Sequence, residues 1–127
     1  MQLKETGMFV GTIALVLLMS VPTTYAAEVG VCAIVAKPSD FDHQTVTLLG
    51  TAAALKETTS HRGNDYTTFK LQDPSGCGAV NVFVWGHAAM SNGDHVRVDG
   101  VFETVHHQDR YTFYNEVEAS KVTSLPR

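Results

Sequence analysis

Basic side chains are scarce in this sequence. Nine lysines and arginines stand against thirteen aspartates and glutamates in 127 residues, for a formal net charge of -4. A protein that grips duplex nucleic acid mainly through its phosphates carries the opposite excess, so long-range attraction to a polyanion is excluded as the main driving force for binding. Long hydrophobic runs are also missing. The uncharged stretch Met8–Met19 (MFVGTIALVLLM) falls short of the roughly 20 residues a bilayer-spanning helix needs, which argues against a permanent anchor. Cysteine is limited to Cys32 and Cys77. In an oxidising compartment the pair forms one disulfide, tying the N-terminal segment to the middle of the domain; otherwise the two are separate buried thiols. No nucleophile elbow, HExxH or phosphate-binding glycine loop occurs, so nothing marks an enzyme. Internal repeats, low-complexity tracts and linkers are absent as well, and the length leaves room for a single domain.

What is present begins with a leader. Lys4 precedes the apolar run, and the polar segment Ser20–Ala27, with small Thr24 and Ala26, follows it. That order is the pattern of a secretory signal peptide over residues 1–26, cleaved after Ala26 or, alternatively, after Ala27. Glu5 is an acid where such leaders usually have none. The expectation is a periplasmic or secreted protein with no membrane span after cleavage. Val29-Gly30-Val31-Cys32 is superficially like a lipoprotein acylation site, but Val31 is not a small residue. Residues 27–44 read as a segment that packs on the domain, with a short helix over Val29–Ala36 stopped by Lys37-Pro38.

Strand character dominates from residue 45. Thr45–Leu55 is β-branched and apolar, with Gly50 where a bent strand needs a glycine; Lys56–Asp65 reads as a loop. Tyr66–Asp73 alternates strictly, and Asp73-Pro74-Ser75-Gly76 is a turn. Cys77–Trp85, His95–Val105 and Tyr111–Ala119 complete five strands, with a short helical turn expected over His87–Ser91 and a hairpin loop over His106–Arg110. Alternation places Val46, Leu48, Phe69, Leu71, Val80, Val82, Val84, Val96, Val98, Phe102, Phe113 and Val117 inside. Five strands suit either a five-stranded Greek-key barrel of the OB type or an SH3-like barrel.

The motifs favour the former. Val46-Thr47-Leu48-Leu49-Gly50, Arg62-Gly63-Asn64-Asp65-Tyr66-Thr67-Thr68-Phe69, Val82-Phe83-Val84-Trp85-Gly86, Gly93-Asp94-His95-Val96-Arg97-Val98-Asp99-Gly100 and Tyr111-Thr112-Phe113-Tyr114-Asn115-Glu116-Val117 follow one another along the chain. Together they resemble bacterial OB-fold domains of the nucleic-acid-binding, tRNA-anticodon-like type, and the preceding Ala36-Lys37-Pro38-Ser39-Asp40-Phe41-Asp42 resembles the lead-in of small exported OB proteins of unassigned role. The resemblance implies an all-β OB barrel over residues 45–119 and a tail over 120–127. It also implies a ligand surface on the second and third strands, where aromatics stack on unpaired bases and cations meet phosphates.

On that surface Arg62, Tyr66, Lys70, Phe83 and Trp85 form a candidate platform for single-stranded nucleic acid or another oligomeric ligand. The competing reading buries Phe83 and Trp85 under the N-terminal segment as packing. A second hypothesis is a metal-handling or envelope-stress module that binds a soft metal through His87 and Met90, or a protein partner. His106 and His107 read as solvated loop histidines, and Glu116 with Glu118 as a solvated strand edge. No cofactor is implied.

Overall fold

The structure, a computed structural model, describes residues 27–108 and 110–126. The leader over residues 1–26, including its cleavage site after Ala26, lies outside them. The element order is β1 (Ala27–Glu28), α1 (Val31–Ala36), a 3-10 turn (Pro38–Phe41), β2 (Thr45–Thr59), β3 (Asp65–Gln72), β4 (Ala79–Trp85), β5 (His95–Gln108) and β6 (Tyr111–Ser124). The strands lie in the order β1-β2-β3-β4-β6-β5, and a further β2–β5 pairing closes the last five into a ring. All pairings within the ring are antiparallel except β4–β6, which is parallel over Asn81–Phe83 and Glu116–Glu118.

The core follows the period-two alternation of the strands. Val46, Leu48, Phe69, Leu71, Val80, Val82, Val96, Val98, Phe102 and Val117 are buried together. Val31 and Ile34, three apart on α1, present one helical face to the same cluster. Six residues are far too few for an independent helix. The helix is held instead by that apolar contact and by a disulfide between Cys32 and Cys77, whose Cα atoms are 5.7 Å apart. The bridge, rather than two separate thiols, is what the fold contains.

Three features depart from the pattern read in the sequence. First, β2 runs on to Thr59 across the expected loop. It does so through a bulge, where the register with β3 shifts between Ala53 and Lys56 and Ala54 adopts a positive φ of 54°. The Leu55 amide, turned out of the ladder, donates to Asn92 Oδ1 at 2.9 Å. Second, the 86–94 connection contains no helical turn. Turn chemistry satisfies its backbone instead: Asp94 Oδ2 accepts from the Ser91 amide, and the Gly93 amide donates to the Ala52 carbonyl. Third, the last hairpin is longer at both ends: β5 runs on to Gln108 through the expected loop over His106–Arg110, and residues 120–124, read as tail, continue β6 and pair with β5 as far as Ser124↔Val96.

Asp42 joins the 3-10 turn to the barrel. Its Oδ1 accepts from both the amide and the hydroxyl of Thr104, at 2.8 and 3.2 Å. These bonds, the amide foremost, hold its carboxyl below the ordinary value of 3.8.

Candidate functional site

The outer face of β3 and β4 carries an aromatic cluster, but not an open platform. Tyr66 and Trp85 are cross-strand partners, and Phe83 lies diagonally between them. Phe83 stacks on Tyr66 with ring centres 4.9 Å apart and meets the edges of Trp85 at 4.9 Å and His106 at 5.2 Å. Tyr66 is 3% exposed and Phe83 0%, whereas Trp85 is 45% exposed. Phe83 is therefore packing, as the competing reading had it, though the cover is His106 and its own aromatic neighbours. Trp85 is the open one, beside a hollow of about 400 Å³ shared with Asn64, Asp65, Gly86 and His87. Arg62 is exposed in the loop over residues 60–64. The proposed set of five is thus split between different parts of this face.

Phe113, expected inside, is on the outer face. Asn115 has a positive φ of 51°, and opposite it the Thr104 amide bonds to Asp42 rather than to β6. This irregularity interrupts the alternation counted from buried Val117, so Phe113 and its cross-strand partner His106 turn outward. Phe113 then helps to line two adjoining hollows. One, of about 130 Å³, is bounded by Ala54, Thr68, Lys70, Asn81 and Glu116. The next, of about 100 Å³, is bounded by Lys56, Thr58, Tyr66, Thr68 and Tyr111. A third, of about 280 Å³, shares Thr58, Tyr66 and Tyr111 and extends to His61 and Arg110. The three form one groove between the β2–β3 loop and the β5–β6 hairpin. Arg110 Nη2 donates to His61 Nε2 at 2.6 Å, joining the two loops at its mouth. Lys70, whose Nζ donates to Asn81 Oδ1 at 3.2 Å, lies along the wall, and Tyr111 is 53% exposed. Lys56, Arg110, Tyr111 and Phe113 belong to this groove and were not singled out from the sequence, because the bulges that bring them together leave no local signature. A larger hollow of about 570 Å³ lies elsewhere, between Val29, Leu49, Pro74, His95 and Leu125. No tyrosine, phenylalanine, tryptophan, lysine or arginine lines it.

The His87 and Met90 pair is not assembled as a soft-metal site. His87 Nδ1 lies 3.1 Å from Glu57 and its Nε2 lies 3.2 Å from Asp65, so carboxylates occupy both ring nitrogens. Met90 instead packs against the core. The bond to Glu57, with its charge, raises the His87 pKa above 6.5, and Asp65 adds to the effect. A raised folded-state value means that these contacts support the fold fully below about 6.5 and are lost as the pH rises through the raised value. A proton NMR titration is expected to place His87 above 6.5, and Glu57→Gln to bring it down; no change in that variant would disprove the pairing.

No protein-family model matches the sequence, and no curated protein sequence matches it. Solved structures do match. One is the second OB-fold domain of replication protein A from Methanococcus maripaludis, with a TM-score of 0.50 and 15% identity over 68% of this chain and 88% of that domain. The barrel is an OB-fold. A further similar structure is a "putative aspartyl-tRNA synthetase" from Leishmania major Friedlin, with a TM-score of 0.57 and 14% identity over 90% of this chain. The present chain spans 26% of that protein. At such identities the likeness is one of fold. The groove of Lys56, Lys70 and Tyr111 lies on the outer face of this barrel, between the loop over residues 60–64 and the β5–β6 hairpin.

Proposed function

We propose that this OB barrel is a binding module, not an enzyme, and that its groove takes single-stranded nucleic acid. The observation that carries this reading is the continuous groove, with Lys56, Lys70 and Arg110 set along Tyr66, Phe113 and Tyr111. Exposed cations beside the open ring of Tyr111 and half-buried Phe113 suit a strand that offers phosphates and unpaired bases. The local cations offset the overall acidity, so binding is expected to be short-ranged and moderate. The Cys32–Cys77 bridge supports placing the protein in an oxidising compartment, consistent with the leader read over residues 1–26.

Fluorescence anisotropy with labelled single-stranded oligonucleotides tests the reading. Binding is expected to weaken with salt, and the Lys56→Ala/Lys70→Ala variant to show a shallower salt slope. Tyr111→Ala is expected to lose about 1 to 3 kcal/mol, the worth of one stacked base. Absence of binding at low salt, or affinity indifferent to all three substitutions, would sink it.

A further inference from the structure

One ring nitrogen of His106 and one carboxylate oxygen from each of Glu103 and Glu118 lie within 4.8 Å of one another. All three residues are half-buried. The β5–β6 ladder brings them together. Glu103 is the cross-strand partner of Glu116, Glu118 lies two residues along the same face, and the irregularity at Asn115 turns His106 onto that face. Behind them sits Glu116, 1% exposed. Its Oε1 is hydrogen-bonded to His106 Nδ1, while its Oε2 is buried with no hydrogen-bond partner.

Three carboxylates therefore crowd one partly desolvated spot. Among the described residues no lysine or arginine forms an ion pair with any of them; the imidazoles beside them are His106, bonded to Glu116, and His43, 3.9 Å from Glu103. Like charges gathered away from water are costly unless a cation or protons neutralise them. A proton on each carboxylate would quench the charge but would leave the convergence of an imidazole with two acids unexplained. A metal ion accounts for both. With Nδ1 bonded to Glu116, a ligating His106 would use Nε2, and a carboxylate on the other nitrogen is how a metal-binding imidazole is commonly held.

We propose that Glu103, His106 and Glu118 bind a divalent transition-metal ion, zinc being the ion the donor set suits best, with Glu116 orienting the imidazole. The mixed nitrogen and oxygen donors fit zinc; magnesium and calcium prefer all-oxygen sets, and copper(I) prefers sulfur. Three protein ligands leave one tetrahedral position for water or for a group on a bound molecule. With metal–ligand bonds of about 2.0 to 2.2 Å, ligand atoms stand roughly 3.4 Å apart. Small rotations of Glu103 and Glu118, which are partly open to solvent, bring them to that distance. The other metal-like grouping, Cys32, Asp73 and Cys77, has both sulfurs committed to the disulfide.

The test is zinc titration of the chelator-stripped purified protein, read by competition with a chromogenic chelator. One equivalent is expected to bind, and saturating zinc to raise the thermal midpoint. His106→Ala and Glu118→Gln are each expected to weaken binding at least about tenfold, and Glu116→Gln, which removes no ligand, by about 10- to 100-fold. His87→Ala is expected to leave it unchanged. If His106→Ala does not fold, Glu103→Gln and Glu118→Gln carry the same comparison. No zinc uptake by the folded parent, or an affinity unchanged in both glutamate variants, overturns the site. Oligonucleotide binding plays no part in these readouts, so failure here and failure of the groove are distinguishable.

Discussion

Replacing both bridge cysteines (Cys32→Ala/Cys77→Ala) is expected to lower the unfolding free energy by about 4 kcal/mol, the loop-closure entropy for a separation of 45 residues. The bridge also ties α1 covalently to the barrel. α1 is six residues long, its N-cap Gly30 has no side-chain capping bond, and no acid sits in its first turn or base in its last. Its attachment otherwise rests on Val31 and Ile34 entering the core. Urea unfolding read by tryptophan fluorescence and by circular dichroism measures the loss. The expected pattern is a lower midpoint with a steeper slope, because the unbridged unfolded chain exposes more surface. A loss below about 1 kcal/mol would show that apolar contact alone holds the helix.

Gly100→Ala is expected to cost about 3 kcal/mol, at the upper end of what overpacking does. A β-carbon at Gly100 would stand 2.3 Å from the Glu118 carbonyl oxygen and 2.7 Å from the Ala119 Cα. Both are backbone atoms of the neighbouring strand, so no side chain can swing aside. The crowding arises where the β5–β6 register shifts between Asp99 and Gly100. Gly50 is similarly placed, 2.6 Å from the Gln72 carbonyl. Gly30→Ala is the control: its added carbon meets nothing within 4 Å and its backbone is extended, so only the poorer N-cap is left to act and a loss of about 1 kcal/mol or less is expected. Equal behaviour of the two variants in thermal unfolding would contradict this account.

The core was legible in the sequence because alternation is a property of the chain itself. Val46, Leu48, Phe69, Leu71, Val80, Val82, Val96, Val98, Phe102 and Val117 are buried as their spacing demands, and Val84 is half-buried against them. The groove was less legible, for a definite reason. Two irregularities, at Ala54 and at Asn115, change which face a side chain takes; alanine gives no sign of a positive φ, and asparagine, which adopts one readily, does so within an otherwise regular strand pattern. Phe113 was assigned inward on that account. Tyr66 and Phe83 were placed on the correct face, but burial depends on what covers a face, and the cover over Phe83 includes His106 from a distant strand. His106 and Glu116 read as solvated because one falls in an expected loop and the other on an expected outer strand edge, and nothing local pairs them. The hairpin is tighter than the loop read over His106–Arg110, with Gln108 paired to Tyr111, and it is this register that sets Glu103 opposite Glu116.

The parallel pairing of β4 with β6 spans only three residues on each strand, Asn81–Phe83 and Glu116–Glu118, against twelve antiparallel pairs between β5 and β6. The ring therefore has a short seam, and breaking it turns a closed cylinder into an open sheet while the long β5–β6 hairpin stays paired. Amide exchange in native conditions should pass through this opening before any other part of the barrel yields. Glu116 and Glu118 lie on the seam itself and Glu103 on the strand beside it. An ion bound there acts as a clasp on the cylinder, and occupancy becomes a setting of how often the barrel breathes.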